Sequence, residues 1–532
     1  MIYKVYRVLL LVVLSILISN CAKIGRPTGG KKDSIAPILV SATPNHKSIN
    51  FKAKKIKISF NEYIKLKDVA KQLVISPPQK YAPIITPLGT ASKFIKIVIL
   101  DTLDSNTTYA FNFGNSIVDN NEENELGNFK YVFSTGTYID SLNFAGEVSE
   151  SLESKPINDI DVMLYEYNDS FTDSIIFKEK PRYISNTLDS TLFDLTNLRA
   201  GKYLLIALKD VNDNKIYNPK IDKIGFIKDT ITIPTDTSLT ITLFKEILPF
   251  KLSRPIENSK GRILFGFEGN GKNLNIKLLG KTPSNFKHAL VFEKGKDTLT
   301  YWYNNLEKDS LSFEVKNVNF LDTISVKLRS SKQDTLVLKT NISSTLELRD
   351  TFSISSSIPI TQFDTAKITL INKDSISIPF SVKIDAYKTK LFINFEKELN
   401  TSYNLRVLPK TITDIFENTN DTLSYKFSTR TLESYGIINI TVSNVISPMI
   451  IELLTEKNEL VSSNRIEEST TLNFSNLVPK NYIVRAIFDD NNNGVWDTGN
   501  YLKKIYPEKI QYFNTVLELK ANWEENYTFM LK

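Results

Sequence analysis

The chain of 532 residues has one cysteine, two histidines, three tryptophans and four methionines. A single thiol leaves no intrachain disulfide to stabilise the fold, and no cysteine spacing for a zinc cage. The histidines, His46 and His288, lie far apart in polar, loop-like surroundings. Both read as surface residues rather than catalytic ones. No nucleophile-elbow serine motif and no glycine-rich phosphate loop occurs. The 59 acidic residues are scattered, and nothing marks two of them as a general acid and base. The expectation is a protein that is not an enzyme. Basic stripes are also missing. The 66 basic residues less Lys4 and Arg7 leave 64 from Cys21 onward against 59 acids, a net of +5 with the two signs interspersed. That excludes nucleic acid as an expected partner. Helical periodicity is nearly absent, and "IKLKDVAKQL" around Leu66 to Leu73 is the best candidate for one short helix or loop.

What is present is β-structure. Segments such as KKIKISF, KFIKIVIL, YLLIALK, ILFGFE, LFINFE and IINITV are β-branched and aromatic, and most alternate apolar with polar residues. Asn, Asp, Gly, Ser and Pro clusters separate them at short intervals, which suits antiparallel sandwiches rather than βαβ units. At 41% hydrophobic and 11% aromatic there is material for several cores.

The chain repeats itself. Leu103 to Thr137 matches Leu399 to Thr431, with Tyr109 on Tyr403, Asp119 on Asp414 and Phe133-Ser134-Thr135 on Phe427-Ser428-Thr429. Asn197 to Asn218 ("NLRAGKYLLIALKDVNDNKIYN") matches Asn476 to Asp497 ("NLVPKNYIVRAIFDDNNNGVWD"). The order is kept, so a module pair, an intervening segment and the pair again make up the chain.

The first repeat type carries Phe60-Asn61-Glu62 after a Pro-rich entry, then "LDSNTTYAFNFGNSIVDNN" and a closing "FSTG". It resembles the bacterial Ig-like domain described in S-layer proteins. The second, with Gly201-Lys202-Tyr203 or Asn481-Tyr482 running into a strand and an Asp/Asn loop, resembles the prealbumin-like sandwiches of carboxypeptidase regulatory domains. Residues 1–20 combine Lys4 and Arg7 with the apolar run Val8 to Ile18, too short to span a bilayer and suited to a signal peptide. Ile18-Ser19-Asn20-Cys21 resembles a bacterial lipobox, in which the cysteine sulfur is acylated. The start "CAKIGRPTGGKKD" with the modules behind it resembles a family of Ig-like lipoproteins of Bacteroidota.

The expected fold class is all-β: tandem antiparallel β-sandwiches, Ig-like and prealbumin-like, after a lipoprotein signal peptide. The expected divisions are a lipidated tether at 21–36, an Ig-like domain at 37–138 and a prealbumin-like sandwich at 139–246. A further sandwich follows at 247–342, then an Ig-like domain at 343–431 and a prealbumin-like sandwich at 432–532. The resemblance implies an outer-membrane lipoprotein, held by Cys21 and acting as a structural or interaction subunit of an envelope assembly. Its implied partners are other envelope proteins, including an outer-membrane barrel (barrel-insertion) machine. The face of the membrane it occupies stays open.

Three further patterns bear on ligands. In "DDNNNGVWDTGN", Asp489, Asn491, Asn493 and Gly494 fit positions 1, 3, 5 and 6 of a calcium loop, with Asp497 at position 9. Asn500 stands where the bidentate Glu belongs, and the flanks are strands. A plain hairpin loop is the alternative. The first copy has Asp210, Asn212 and Asn214, then Lys215 where the glycine belongs. Calcium at Asp489, Asn491, Asn493 and Asp497 is thus the one cofactor expectation. "YWYNN" at Tyr301 to Asn305 is the best aromatic cluster for a glycan platform, the alternative role, though a core Trp with flanking tyrosines has the same pattern. Finally, Asp followed by Ser or Thr and an apolar residue recurs, as at Ser34, Thr230, Thr323 and Thr422. It is similar to the O-glycosylation acceptor of exported Bacteroidota proteins, and equally to a turn opening a strand.

Overall fold

Strand alternation becomes burial alternation throughout. Lys55–Leu66 buries every second side chain over its first half, and Arg262–Glu268 and Gly436–Ser443 do the same along their length. Each such strand can close a core on one face only, so sheets pair face to face. The computed structural model describes residues 33–153 and 156–532. Cys21, the lipobox and the tether up to residue 32 lie outside them. Among the described residues the α-helix is confined to Val69–Gln72, within the segment singled out above, and no helix is long and apolar enough to cross a membrane.

Residues 33–141 form one unit and 142–532 a second. In the first unit, one sheet runs Leu39–Thr43, Lys55–Leu66, Ser92–Val98, Ile84–Thr86, with Ile117–Asp119 added on Lys55–Leu66. The facing sheet is Val74–Ser76, Thr108–Asn112, Lys130–Ser134. Ile58, Ile95, Phe111 and Phe133 close its core.

The second unit holds four modules with a core each. The second module centres on Val162, Leu205 and Ile241, the third on Phe265, Tyr301 and Phe313. The fourth centres on Phe352, Leu405 and Phe427, the fifth on Ile451, Val484 and Phe529. The fourth module takes its first strand from Leu338–Thr340, which pairs with Phe352–Ser356. It therefore begins before residue 343, because the strand precedes the stretch in which the sequence repeat is visible. A departure from pure antiparallel pairing occurs in the second and fifth modules. The first and last strands pair in parallel, Leu142–Glu150 with Leu239–Leu243 and Gly436–Ser443 with Glu524–Met530. The chain can enter and leave a sandwich side by side in this way because most intervening strands lie in the other sheet, with Leu192–Leu198 and Thr470–Leu477 on the far side of the first strand.

The second and fifth modules dock on each other. Tyr501 is fully buried. Its ring packs at 5.5 Å on Phe226 and 6.3 Å on Phe177. Its hydroxyl donates to the Asp173 carbonyl at 3.0 Å, and its N–H to Glu246 Oε1 at 2.6 Å. Lys504 pairs with Asp173 at 2.6 Å, Thr498 donates to the Lys245 carbonyl, and Tyr512 to that of Leu152. Gly499 is required here: a Cβ would lie 2.8 Å from the Phe244 ring. In both modules the residues facing away from the module core are buried as well, among them Leu204, Ile206 and Leu208 in one, Ile450 and Ile487 in the other. The four modules are thus closed by a contact between the first and last of them, not strung out in a row. The third and fourth meet at Trp302, Ile358 and Ile415.

Candidate functional site

The matched residues of the Ig-like repeat are a polar clamp. Tyr109 Oη accepts the N–H of Asp104 at 2.9 Å, and Tyr403 Oη that of Glu398 at 2.8 Å. Thr135 Oγ1 donates to the Asp104 carbonyl and accepts the N–H of Thr107. Thr429 repeats both bonds with Glu398 and Thr401. Buried Asp119 accepts backbone N–H groups from Asn121, Glu122, Glu123 and Asn124 at 2.8 to 3.2 Å. Burial works against its charge, but these four donors outweigh it and hold the carboxyl below the usual range. Its counterpart Asp414 takes the N–H groups of Phe416 and Asn418 and the Asn418 side-chain amide. Such a carboxylate shapes a loop from within.

The Asp/Asn loops are built alike. Asp489 is buried and accepts the N–H groups of Asn493 and Gly494, each at 2.9 Å. Asp210 accepts those of Asn212 and Lys215 at 3.1 and 2.6 Å. A second acid staples each loop. Asp222 takes the N–H groups of Val211 and Asn218, and Glu508 takes those of Asp490 and Asp497. Burial, and then its carboxylate neighbours Asp497 and Asp489, raise the Glu508 carboxyl even against those amide bonds.

The loops differ in what meets the negative charge. In the second module Lys215 Nζ reaches Asp161 at 2.8 Å and contacts Asp213. Among the described residues, Asp161, Asp210 and Asp213 are the acids close enough together to share one cation, and the lysine ammonium is in their midst. Burial works against its charge, yet the attraction of Asp161 and the bonds to both acids hold it above the usual lysine range. In the fifth module the side-chain amides of Asn491 and Asn493 both donate to Asp497 Oδ2, at 2.5 and 2.6 Å. The four calcium candidates are therefore neighbours in one loop. Gly494, at φ 77°, makes the sharp turn assigned to it.

Other candidates fall apart as sites. Tyr301, Trp302 and Tyr303 are all buried: the tyrosines in the third module's core, Trp302 in the seam with the fourth, under the Arg262 guanidinium. The strand turns one face to its own core and the other to the next module, so no glycan platform exists at 301–303. His288 is on the strand Lys287–Phe292, not in a loop, and stacks between Phe286 and Tyr301. His46 is half-buried, and its Nδ1 accepts the Val132 N–H at 3.2 Å; burial, then the Lys47 charge, lower its pKa. Ser34, Thr323 and Thr422 are exposed and Thr230 half-buried. An open cleft of about 660 Å³ lies by the seam between the third and fourth modules, lined by residues including Lys260, Asn305 and Phe416. Its Glu257 is held by the N–H groups of Arg329 and Ser330.

Comparison with known proteins agrees with the strand pairing at one end of the chain. The family model described as "Bacterial Ig-like domain" matches residues 33–135. No curated protein matches. Among solved structures, the S-layer protein SbsC is similar at 12% identity and TM-score 0.15, over 92% of this chain and 67% of that one. The major pilin subunit BcpA of Bacillus cereus is similar at 10% identity and TM-score 0.14, over 73% and 99%. Superpositions this loose carry no argument about function, and the all-β architecture rests on the sheets themselves. The first module, by its matching sequence and its paired sheets, is a bacterial Ig-like domain.

Proposed function

We propose that the chain is a non-catalytic structural and interaction subunit of the bacterial cell envelope, anchored in the outer membrane by lipid on Cys21. The observation that carries the reading is the use made of the recurring polar residues. Asp119, Asp414, Asp210 and Asp489 are engaged by backbone N–H groups of their own loops, and the conspicuous aromatic cluster is buried in the third module's core and its seam with the fourth. The four sandwiches of residues 142–532, locked together, make a rigid body that presents surface. Accessory work at an outer-membrane barrel machine fits such a body, and rests on the family resemblance alone. The test has two arms. Cys21→Ser should abolish incorporation of labelled fatty acid, and equal labelling of the mutant would refute the anchor. Affinity purification from solubilised membranes should recover envelope proteins with the wild type. A single carboxylate variant that lost function while keeping its fold would instead argue for an enzyme.

A further inference from the structure

The outer face of the first module's larger sheet is unusual in its charge. Register places Lys57 directly opposite Lys96, and Lys55, two residues before Lys57, lies on the same face. All three are exposed. The four strands Leu39–Thr43, Lys55–Leu66, Ile84–Thr86 and Ser92–Val98 contain one acid, Glu62, beyond the register shift at the far end. None of the three ammoniums makes an ion pair among the described residues. Lys57 lies 4.5 Å over the ring of Phe94 instead. Like charges directly opposite each other cost a sheet stability, so the face is built against the interest of the isolated fold. Apolar side chains open to water flank the lysines: Phe94, one step beyond the Lys57–Lys96 pair, at 40% exposure, and Ile84, on the edge strand outside Val98, at 54%.

We infer that this face docks on the anionic phospholipid headgroups of a membrane surface. Charge complementarity calls for phosphate. The flanking Phe94 and Ile84 call for a partner that also offers an apolar layer just beneath its phosphates, which a bilayer interface does and a soluble polyanion does not. Lysine, a compact charge on a flexible stem, suits phosphates that diffuse laterally, where a fixed phosphate site favours the planar fork of arginine. The inference stands apart from the lipid on Cys21, since the face lies wholly within residues 39–98.

Residues 33–141 have their own core and can be tested alone, without Cys21. The fragment should bind phosphatidylcholine vesicles containing phosphatidylglycerol and not vesicles of phosphatidylcholine alone, and added salt should weaken binding. Each ammonium near an anionic surface contributes roughly a factor of five, so Lys55→Gln/Lys57→Gln/Lys96→Gln should lose about a hundredfold and Lys96→Gln alone about fivefold. Relief of the Lys57–Lys96 repulsion predicts that both variants melt no lower than the wild type, which separates binding from folding. Phe94→Ser should weaken vesicle binding while leaving its salt dependence unchanged. Undiminished binding by the triple variant would overturn the inference. So would retention on heparin without binding to anionic vesicles, which would assign the face to a soluble polyanion.

Discussion

The loop after Gly201–Lys209 and the loop after Asn481–Phe488 share one backbone scheme and answer the same electrostatic problem in opposite ways. Both fold around a buried or half-buried aspartate that gathers amide N–H groups, and both are stapled by a second acid. In the second module the excess negative charge is met by a covalently supplied cation, Lys215. In the fifth it is met by neutral amides, with glycine in the lysine's place. A position read as a lost calcium-loop glycine is therefore a gained ammonium. Residues at the same loop position can thus be alternatives in charge balance rather than a working and a broken copy.

The comparison breaks most easily at Lys215. Lys215→Met leaves Asp161, 3% exposed, without its cation, and should cost about 3–5 kcal/mol in urea unfolding of the whole chain. Gly494→Ala should do far less. Removing either staple, Asp222→Ala or Glu508→Ala, strands two backbone N–H groups, and each should cost about 3 kcal/mol by the same measurement. Equal costs would establish the two acids as equivalents despite their different spacing in sequence. Calcium sharpens the contrast. If Asp489, Asn491, Asn493 and Asp497 take the ion, a hundredfold excess over Kd stabilises the chain by about 2.7 kcal/mol. The gain should vanish in Asp497→Ala and persist in Asp213→Ala. A melting temperature indifferent to calcium and chelator leaves the plain hairpin. The smallest effect is Gly494→Ala itself. A Cβ there meets nothing within 4 Å, so only the left-handed backbone is strained, by about 1 kcal/mol.

The strands were legible because alternation at Lys55–Leu66 or Arg262–Glu268 is a local property of the chain. The repeats were legible for a related reason. Tyr109, Asp119 and Thr135 bond to backbone atoms a short distance away in their own module, so copying the module copies the residues. The docking of the fifth module on the second has no such trace. Tyr501 meets Phe226 across more than 270 residues, and "NYLKKIYPEK" around it looks like any polar loop. One signal was there to be used. Tyr203 to Leu208 is an unbroken apolar run, and a strand that does not alternate is a strand covered on both faces. The role of Lys215 leaves no local trace, since its partner Asp161 is 54 residues away in sequence, on the strand paired with Gly201–Lys209.

The Tyr501 contact also fixes how tension would travel. Residue 142 enters the second module and residue 532 ends the fifth, and those two modules grip each other directly. A pull between the two ends loads that grip first. The third and fourth modules hang on a side path and feel no load until it yields. Tyr501 would then act as a mechanical fuse for them, and single-molecule stretching of Tyr501→Ala should lose the first rupture while the later ones keep their lengths.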